Sequence, residues 1–213
     1  ATDEIVALKQ IKFDPEMTKE GFPLAALREI SVLLSLQHDC IVSVKEMVVG
    51  TGFDKVFMVM EYMEMDLKDA MEKTGPDFPF TQGELKGMLF QLLSGMQHVH
   101  SRFLLHRDIK TSNVLVHRSG RVAICDFGLA RRYSLPLSKP LTQMVVTLWY
   151  RPPELLFGER VYGPAVDMWS IGCVMGELIT KKAIMQGQGE LDQIDQVFAM
   201  VGTPTEETWP DFE

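Results

Sequence analysis

The spacing of hydrophobic side chains changes along the chain, and each change marks a predicted element. Residues 4–11 mix apolar and polar side chains in a strand-like pattern, and residues 40–49 and 55–61 are rich in β-branched and apolar side chains. From Pro23 onward the apolar residues recur at spacings of three and four, which predicts an amphipathic helix. The apolar face of that helix is predicted to comprise Leu24, Leu27, Ile30 and Leu34, with Val32 and Leu33 beside it. The first part of the chain is therefore expected to hold three strands and one helix.

The rest of the chain is predicted to be mainly helical. Residues 84–103 and 167–179 have apolar residues at helical spacing, and a last helix ends at Gly202. The stripe of the first of these helices comprises Leu85, Met88, Leu89, Leu92, Leu93, Met96 and Val99, and the last helix is marked by Leu191, Ile194, Val197, Phe198 and Val201. Two apolar runs around the polar residues 117–121 predict a β-hairpin. The polar segment after Gly128 is too long for an ordinary connection, and such loops tend to be functional.

Composition narrows the class of protein. With 213 residues the chain suits one large domain or two small lobes, and a formal charge of −8 argues against a nucleic-acid-binding surface. Its three cysteines are far apart, odd in number and without metal-ligand spacing, which favours a reducing compartment inside the cell. The sequence has no apolar run long enough to cross a bilayer and no signal-peptide pattern, so a soluble chain without a membrane partner is expected.

The stretch from Leu104 to Gly128 carries the candidate chemistry. It contains His106-Arg107-Asp108-Ile109-Lys110-Thr111-Ser112-Asn113, followed after the hairpin by Asp126-Phe127-Gly128. A carboxylate, a nearby lysine and two further oxygen-bearing side chains suit the transfer of a phosphoryl group with magnesium. An isolated Asp-Phe-Gly is usually a turn. Two ordered motifs joined by a hairpin instead resemble the catalytic loop and the metal-binding loop of eukaryotic protein kinases.

This resemblance implies a role for each residue of the two loops. Asp108 would accept the proton of the substrate hydroxyl, and Lys110 would place a positive charge beside the transferring group, as in serine/threonine kinases. Asn113 and Asp126 would bind Mg²⁺, which prefers oxygen ligands. His106 would anchor the catalytic loop through hydrogen bonds.

The residues before the catalytic loop resemble the nucleotide-binding half of a kinase. Val6-Ala7-Leu8-Lys9 is similar to the strand whose lysine holds the α and β phosphates of ATP. Glu29, inside the first helix, lies where the family places the glutamate that pairs with this lysine, so an ion pair between Lys9 and Glu29 is expected. Without that context, a lone lysine on a strand would be expected to be solvated.

Residues 60–67 resemble the hinge between the two lobes of a kinase. On this alignment Met60 guards the back of the adenine pocket, and the backbones of Glu61 and Met63 hydrogen-bond the purine. The resemblance adds Asp66 and Leu115 to the nucleotide contacts. The methionine side chains could equally be core filling.

The first helix carries the clue to the subfamily. Gly21-Phe22-Pro23-Leu24-Ala25-Ala26-Leu27-Arg28-Glu29-Ile30 resembles the cyclin-contacting helix of cyclin-dependent kinases, and in particular the branch named after the sequence Pro-Ile-Thr-Ser-Leu-Arg-Glu. Here Leu24, Ala25 and Ala26 replace Ile, Thr and Ser. The resemblance implies a cyclin partner.

Residues 142–154 resemble the activation segment of a cyclin-dependent kinase. Thr142 matches the phosphorylated threonine of that family, and its phosphate would need guanidinium partners. Three arginines match the family's set, although each alone could be a surface residue; they are Arg28, Arg107 and Arg131. Val145–Arg151 would form the platform for the residue that follows the phosphoacceptor, which implies substrates with Ser or Thr followed by Pro.

Several further positions have structural expectations. Asp167 would accept hydrogen bonds from the backbone of the catalytic loop, and His98 and His100 are expected to be packing or surface residues without a catalytic role. The usual Ala-Pro-Glu motif appears as Pro152-Pro153-Glu154, which should stiffen the turn without removing a catalytic group. An arginine beyond residue 213 is expected to pair with Glu154, because a buried carboxylate without a partner is costly.

The residues and the resemblance together predict an α+β, two-lobed protein-kinase fold. Residues 1–63 would be part of a small β-rich lobe, from the strand with the ATP-contacting lysine through the hinge, and residues 64–213 part of a larger, mainly α-helical lobe. Both lobes are expected to be incomplete, lacking the glycine-rich loop before Ala1 and helices after Glu213.

The predicted function is that of a cyclin-dependent serine/threonine protein kinase that uses ATP and Mg²⁺. It would be activated by a cyclin and by phosphorylation of Thr142, and it would act on proteins in the nucleus or cytoplasm, with no direct nucleic-acid partner. The alternative is a non-catalytic or truncated kinase-like module that binds a cyclin as a scaffold. The presence of Lys9, Glu29, Asp108, Asn113 and Asp126 together favours the enzyme.

Overall fold

The N-terminal part of the chain is built on a three-stranded sheet with one helix. The computed structural model describes residues 3–11, 24–51, 55–75 and 80–210, without the side chains of residues 24–26 and 28. Strands β1 (Val6–Gln10) and β2 (Val44–Val49) both pair antiparallel with the central strand β3 (Val56–Glu61). Helix α1 (Leu24–Ser35) lies between β1 and β2 in sequence. The three predicted strands and the helix are confirmed, with shorter bounds for the strands.

The predicted inward face of α1 is wrong in part. Leu27 and Leu34 are 47% and 54% exposed, whereas Leu33 is almost completely buried and Ile30 is half-buried. The predicted Leu24 side chain lies outside the described residues. The buried stripe of α1 runs along Leu33, which belongs to one hydrophobic cluster with Met58 and Phe127, rather than along Leu27 and Leu34.

Helices dominate the C-terminal part. Helix α3 (Gln82–Ser101) begins with a capping box in which Thr81 and Glu84 each accept the other's backbone N–H. Helix α5 (Ala165–Thr180) is the most buried helix of this part, and α6 (Glu190–Val201) follows it and ends at Gly202. These three helices confirm the predictions. Two more helices, α2 (Leu67–Thr74) and the short α4 (Pro153–Leu156), were not predicted.

Some predicted core positions on these helices face solvent. Leu93 on α3 is 42% exposed, and Leu191 and Val201 at the two ends of α6 are 81% and 62% exposed. Other positions of each stripe are buried as predicted, at Leu92, Met96 and Val99 on α3 and at Val197 on α6. The predicted stripes of both helices are therefore only partly buried.

Three short strand pairings shape the region of the catalytic loop. The predicted hairpin forms between β6 (Val114–Val116) and β7 (Val122–Ile124), and β4 (Met65–Asp66) extends it on the β6 side. Strand β5 (Leu104–Leu105) pairs with β8 (Arg131–Arg132). These pairings hold both ends of the loop that carries Asp108.

One large hydrophobic cluster connects the two parts of the chain. It includes Leu33 and Met58 from the β-rich part and Leu104, Ile109 and Phe127 from the helical part. Across the described ranges, no helix is both long enough and apolar enough to span a membrane. The β-rich N-terminal part and the helical C-terminal part together have the α+β architecture expected of a protein kinase.

Candidate active site

The catalytic loop is anchored from below by Asp167 on α5. Its Oδ1 accepts the backbone N–H of Arg107 at 2.8 Å, and its Oδ2 accepts the backbone N–H of His106 at 3.0 Å. The predicted bonds from the loop backbone to Asp167 are thus confirmed. His100 Nε2 lies 2.8 Å from the same Oδ2, so His100 is not a simple packing or surface residue but orients the anchor.

His106 joins the catalytic loop to the metal-binding loop. Its Nε2 is 2.9 Å from the carbonyl oxygen of Cys125, and its Nδ1 accepts the backbone N–H of Asp108 at 3.2 Å. The ring is completely buried, and this burial lowers the pKa of His106 despite the nearby carboxylates. A neutral imidazole with one donor and one acceptor nitrogen fits both hydrogen bonds.

Asp108 is surrounded by three polar side chains. Its Oδ2 lies 2.9 Å from Lys110 Nζ and accepts a hydrogen bond from Asn113 Nδ2 at 3.0 Å. Its Oδ1 accepts hydrogen bonds from the hydroxyl of Thr147 at 2.8 Å and from the Thr147 backbone N–H at 3.3 Å. Lys110 Nζ also donates to Thr147 Oγ1 at 2.9 Å.

Thr147 is the main polar residue that the sequence analysis did not single out. It had been included only as part of the platform Val145–Arg151. The only sequence signal for Thr147 was a hydroxyl side chain placed between Val145-Val146 and Leu148-Trp149. That signal is weak, because 39 residues separate Thr147 from Asp108.

The nucleotide side of the site is organised by Lys9. Its Nζ lies 2.6 Å from Glu29 Oε1, as predicted, and 3.2 Å from Asp126 Oδ1. Burial lowers the pKa of Lys9, but hydrogen bonds and attraction from Glu29 and Asp126 outweigh burial and raise the pKa above its ordinary value. The lysine is therefore charged and held between a helix residue and the metal-binding loop.

A cavity of about 250 Å³ lies beside Lys9, under the hinge. Its walls include most of the residues predicted to contact the nucleotide, namely Lys9, Glu29, Met60, Glu61, Met63, Asn113, Leu115 and Asp126. It is also lined by Ala7, Leu33, Val42 and Cys125, which had not been assigned to it. Met63 packs with Val42 in a small core cluster, so this methionine is both pocket wall and core filling.

Two details of this cavity bear on the predictions. Asp66 does not line it; the side chain of Asp66 caps α2 by accepting the backbone N–H of Asp69 at 2.8 Å. Cys125 does line it, and burial raises the pKa of the Cys125 thiol to about 12. Cys125 therefore contributes a neutral, weakly polar wall.

The residues present fit a magnesium–nucleotide complex. Among the described residues there is no group of three or more His, Cys, Asp or Glu side chains that could hold a metal by themselves. Mg²⁺ is usually bound by one or two carboxylates together with phosphate oxygens and water. Asp126 offers the carboxylate, and Asn113 uses Nδ2 to donate to Asp108, which leaves its amide oxygen as a ligand.

The activation segment is linked to the catalytic loop through a buried tyrosine. Tyr162 donates its hydroxyl to the Thr142 carbonyl at 2.6 Å and accepts a hydrogen bond from Arg107 Nη1 at 2.8 Å. The Thr142 side chain itself is exposed. Arg131 donates to the carbonyl of Ala130 at 2.7 Å. The Arg28 side chain lies outside the described residues.

The platform that follows Thr142 has an unusual backbone. Val146 has a φ of 63°, in the left-handed region that β-branched residues rarely adopt. Arg151 Nε donates to the Val145 carbonyl at 3.0 Å, and the same guanidinium also reaches the Val146 carbonyl. Arg151 Nη1 pairs with Glu190 on α6 at 2.6 Å.

Glu154 lies apart from this network, beside a larger cavity of about 830 Å³. Burial raises the pKa of its carboxyl group. No arginine or lysine among the described residues forms an ion pair with Glu154. The expected arginine partner stays a prediction.

Comparison with known proteins agrees with this geometry. The family model described as "Protein kinase domain" matches residues 1–213. The chain is 53% identical over 211 residues to cyclin-dependent kinase G-2 of Oryza sativa subsp. indica, covering 99% of this chain and 29% of that protein. It is 53% identical to human cyclin-dependent kinase 11B, covering 99% of this chain and 26% of that protein. It is 51% identical to cyclin-dependent kinase G1 of Arabidopsis thaliana, covering 99% of this chain and 34% of that protein.

The chain thus spans between about a quarter and a half of the length of the curated relatives that it matches. The match to the family model covers both the β-rich and the helical part, including every loop described above. From this match and from its similarity to cyclin-dependent kinases, we conclude that the chain belongs to the protein kinase domain family, in its cyclin-dependent kinase branch.

Proposed function

We propose that the protein to which this chain belongs is a cyclin-dependent serine/threonine kinase. It transfers the γ-phosphate of ATP to a Ser or Thr that is followed by Pro. The observation that carries this proposal is the constellation at Asp108, where Lys110 Nζ lies 2.9 Å and the Asn113 amide nitrogen 3.0 Å from the carboxylate oxygen Oδ2. Such a group suits a reaction whose catalysis consists of positioning and charge stabilisation.

Each side chain would have a distinct part in this reaction. Asp108 orients the substrate hydroxyl and accepts its proton, while Lys110 balances charge on the phosphoryl oxygens. Lys9 holds the phosphates of the nucleotide and is itself held by Glu29. Bound ATP and Mg²⁺ supply the transferable phosphoryl group and the main neutralisation of its charge, and Asn113 and Asp126 would hold the metal.

The nucleotide base would bind under the hinge. The cavity there has Met60, Met63 and Leu115 as apolar walls, and the backbones of Glu61 and Met63 would supply the hydrogen bonds to the purine. Asp66 would reach the nucleotide only with the oxygen that does not cap α2. We place the boundary between the two lobes at Met63, so that residues 1–63 and 64–213 meet at this cavity.

The backbone at Val146 supports a preference for proline after the phosphoacceptor. The carbonyl oxygens of Val145 and Val146 both accept hydrogen bonds from Arg151, which makes them poorer acceptors for a bound peptide. If the substrate residue after the phosphoacceptor has a backbone N–H, that donor would be left without a good acceptor beside Val145 and Val146. Proline has no N–H and loses nothing.

Regulation would act on α1 and on Thr142. The relatives are named as cyclin-dependent kinases, and the exposed Leu27 and Leu34 give α1 an apolar face on which a cyclin could pack. Thr142 is exposed, so an activating kinase could reach it. Arg107 donates a hydrogen bond to the hydroxyl of Tyr162, which in turn donates to the Thr142 carbonyl. Phosphorylated Thr142 would be held by Arg28, Arg107 and Arg131. The protein would act in the nucleus or the cytoplasm.

The test is phosphate transfer from ATP to a Ser-Pro peptide by the full-length protein with candidate cyclins. Asp108→Asn should abolish the transfer and Thr142→Ala should greatly reduce it. Asp195→Asn, which changes an exposed carboxylate on α6, is the matched control and should retain full activity. If the folded protein binds a cyclin but never transfers phosphate, the enzyme proposal is wrong and the scaffold alternative replaces it.

A further inference from the structure

A cation on the β6–β7 hairpin contacts the hinge directly. Arg121, at the end of the turn of this hairpin, makes an ion pair with Glu61 through Nη2 and Oε2. The same Nη2 lies 3.4 Å from the sulfur of Met63. Arg121 therefore touches the two residues whose backbones are proposed to bind the purine.

Glu61 is held from its other side as well. Its Oε1 accepts the backbone N–H of Ser43, just before β2, at 2.8 Å. The Glu61 side chain is 18% exposed and the Arg121 side chain 34%, so the pair is partly shielded from water. Glu61 thus bridges the β-rich sheet and the hairpin of the helical part, with one carboxylate oxygen for each.

A second carboxylate of the hinge, that of Glu64, is hydrogen-bonded to the same turn. Glu64 Oε2 accepts the backbone N–H of Arg118 at 2.9 Å, and Glu64 Oε1 lies 3.4 Å from Arg118 Nε. His117 Nε2 is 3.8 Å from that same oxygen. Two hinge carboxylates therefore face three basic side chains of one short turn, and we call these five residues the hinge clamp.

The turn is itself held by hydrogen bonds to α3 and within its own backbone. Gln91 on α3 accepts the backbone N–H of Val122 at 2.9 Å and donates to the Gly120 carbonyl at 3.0 Å. The backbone N–H of His117 donates to the Arg121 carbonyl at 2.9 Å and closes the turn. The hinge clamp is therefore attached through Gln91 to the long helix under the catalytic loop.

The hairpin also forms the floor of the nucleotide cavity. Leu115 of β6 lines the cavity, and the strand that begins after Arg121 leads directly to Cys125 and Asp126, which line it too. A hinge fixed to this hairpin keeps a constant distance between the residues proposed to bind the base and those proposed to bind the phosphates.

We propose that Glu61 and Arg121 are positioning residues for nucleotide binding. Their ion pair holds the backbone of Glu61–Met63 at the spacing that a bound nucleotide requires. This inference rests on the proposed function, because it assumes that the cavity under the hinge binds ATP. A purely structural ion pair would change the stability of the protein and leave the affinity for ATP unchanged.

The test is a double-mutant cycle on the full-length protein. Glu61→Gln removes the charge but keeps an oxygen for the Ser43 N–H, and Arg121→Met removes the guanidinium but keeps most of the aliphatic stem. The Kd for Mg–ATP is measured by calorimetric titration, the Tm without nucleotide by thermal unfolding, and kcat at saturating ATP with a Ser-Pro peptide. Lys86→Met, which changes an exposed cation on α3, is the control.

We expect each single variant to bind ATP about three- to fivefold more weakly, as for the loss of a partly shielded ion pair. The double variant should bind no more weakly than either single variant, and kcat should be unchanged. Arg121→Lys, which keeps the charge, should bind ATP more tightly than Arg121→Met. Lys86→Met should have the wild-type Kd.

Two results would overturn the inference, and they are distinguishable. If the wild type binds ATP and the variants bind it equally well, with or without a lower Tm, the positioning role is wrong while the proposed function stands. If the wild-type protein is folded and binds no ATP, the proposed function and the positioning role are wrong together.

Discussion

The hydroxyl of Thr147 donates a hydrogen bond to Asp108 Oδ1 at 2.8 Å, and Lys110 donates to the same hydroxyl at 2.9 Å. Thr147 therefore ties the activation segment to the residue proposed to receive the substrate proton. The link means that a displaced activation segment would also displace Asp108 or Lys110.

Replacing Thr147 tests this link. Thr147→Ala removes a hydrogen bond to a charged group, which is worth about 1.5–3 kcal/mol, so kcat should fall roughly ten- to a hundredfold. Thr147→Ser keeps the hydroxyl and should recover most of the activity. The measurement is steady-state transfer to a Ser-Pro peptide, and equal losses in both variants would show that the methyl group, not the hydroxyl, is what matters.

Asp167 should be important for stability. Asp167→Ala would leave the backbone N–H groups of His106 and Arg107 buried without an acceptor, at a cost of about 1–3 kcal/mol each. Urea unfolding should show the loss as a lower midpoint. The exposed carboxylate of Asp195 is the comparison, and Asp195→Ala should change the free energy of unfolding by less than about 0.5 kcal/mol.

The pKa of His106 predicts a pH dependence. Burial holds the folded-state pKa below the unfolded value of about 6.5, so the unfolded chain binds a proton at a pH where the folded protein does not. The stability associated with His106 is fully present above about pH 6.5 and is lost as the pH falls toward the lower, folded-state pKa. The difference in unfolding free energy between wild type and His106→Asn should therefore become smaller as the pH falls from about 7 to about 5. A constant difference would mean that His106 does not titrate in this way.

Tyr162 should hold the unphosphorylated activation segment. Tyr162→Phe removes the hydroxyl between Arg107 Nη1 and the Thr142 carbonyl, both of which then lose a partner. Amide hydrogen exchange around Thr142 should become faster in the variant. Tyr62→Phe changes an exposed tyrosine and should leave the exchange of this segment unchanged.

Arg151 should determine the preference for proline. Arg151→Met frees the carbonyls of Val145 and Val146, so a Ser-Ala peptide gains an acceptor that a Ser-Pro peptide cannot use. The ratio of kcat/KM for the two peptides should fall about tenfold, equivalent to one hydrogen bond of ~1.4 kcal/mol. Glu190→Gln removes only the ion pair of Arg151 and should leave this ratio unchanged.

Local sequence determined the elements and most of the chemistry of this protein. The hairpin of residues 114–124 follows from two apolar runs around a polar turn, and the long helix α3 follows from its apolar stripe, although it begins at Gln82 and not at the predicted residue 84. The catalytic and metal-binding loops could be identified because their residues are close in sequence and in fixed order. Such features depend on interactions within about 20 residues, which a single sequence displays.

Only the tertiary structure decided which side chains face one another. Periodicity placed Leu27 and Leu34 on the inner face of α1, but burial also depends on what packs against a helix, and there the covered stripe follows Leu33. The contacts of Asp108 with Thr147, of Asp167 with His100 and of Glu61 with Ser43 join residues between 18 and 67 positions apart. Neither the spacing of residues nor the composition predicts these long-range contacts, because they result from the packing of helices and sheets into one core.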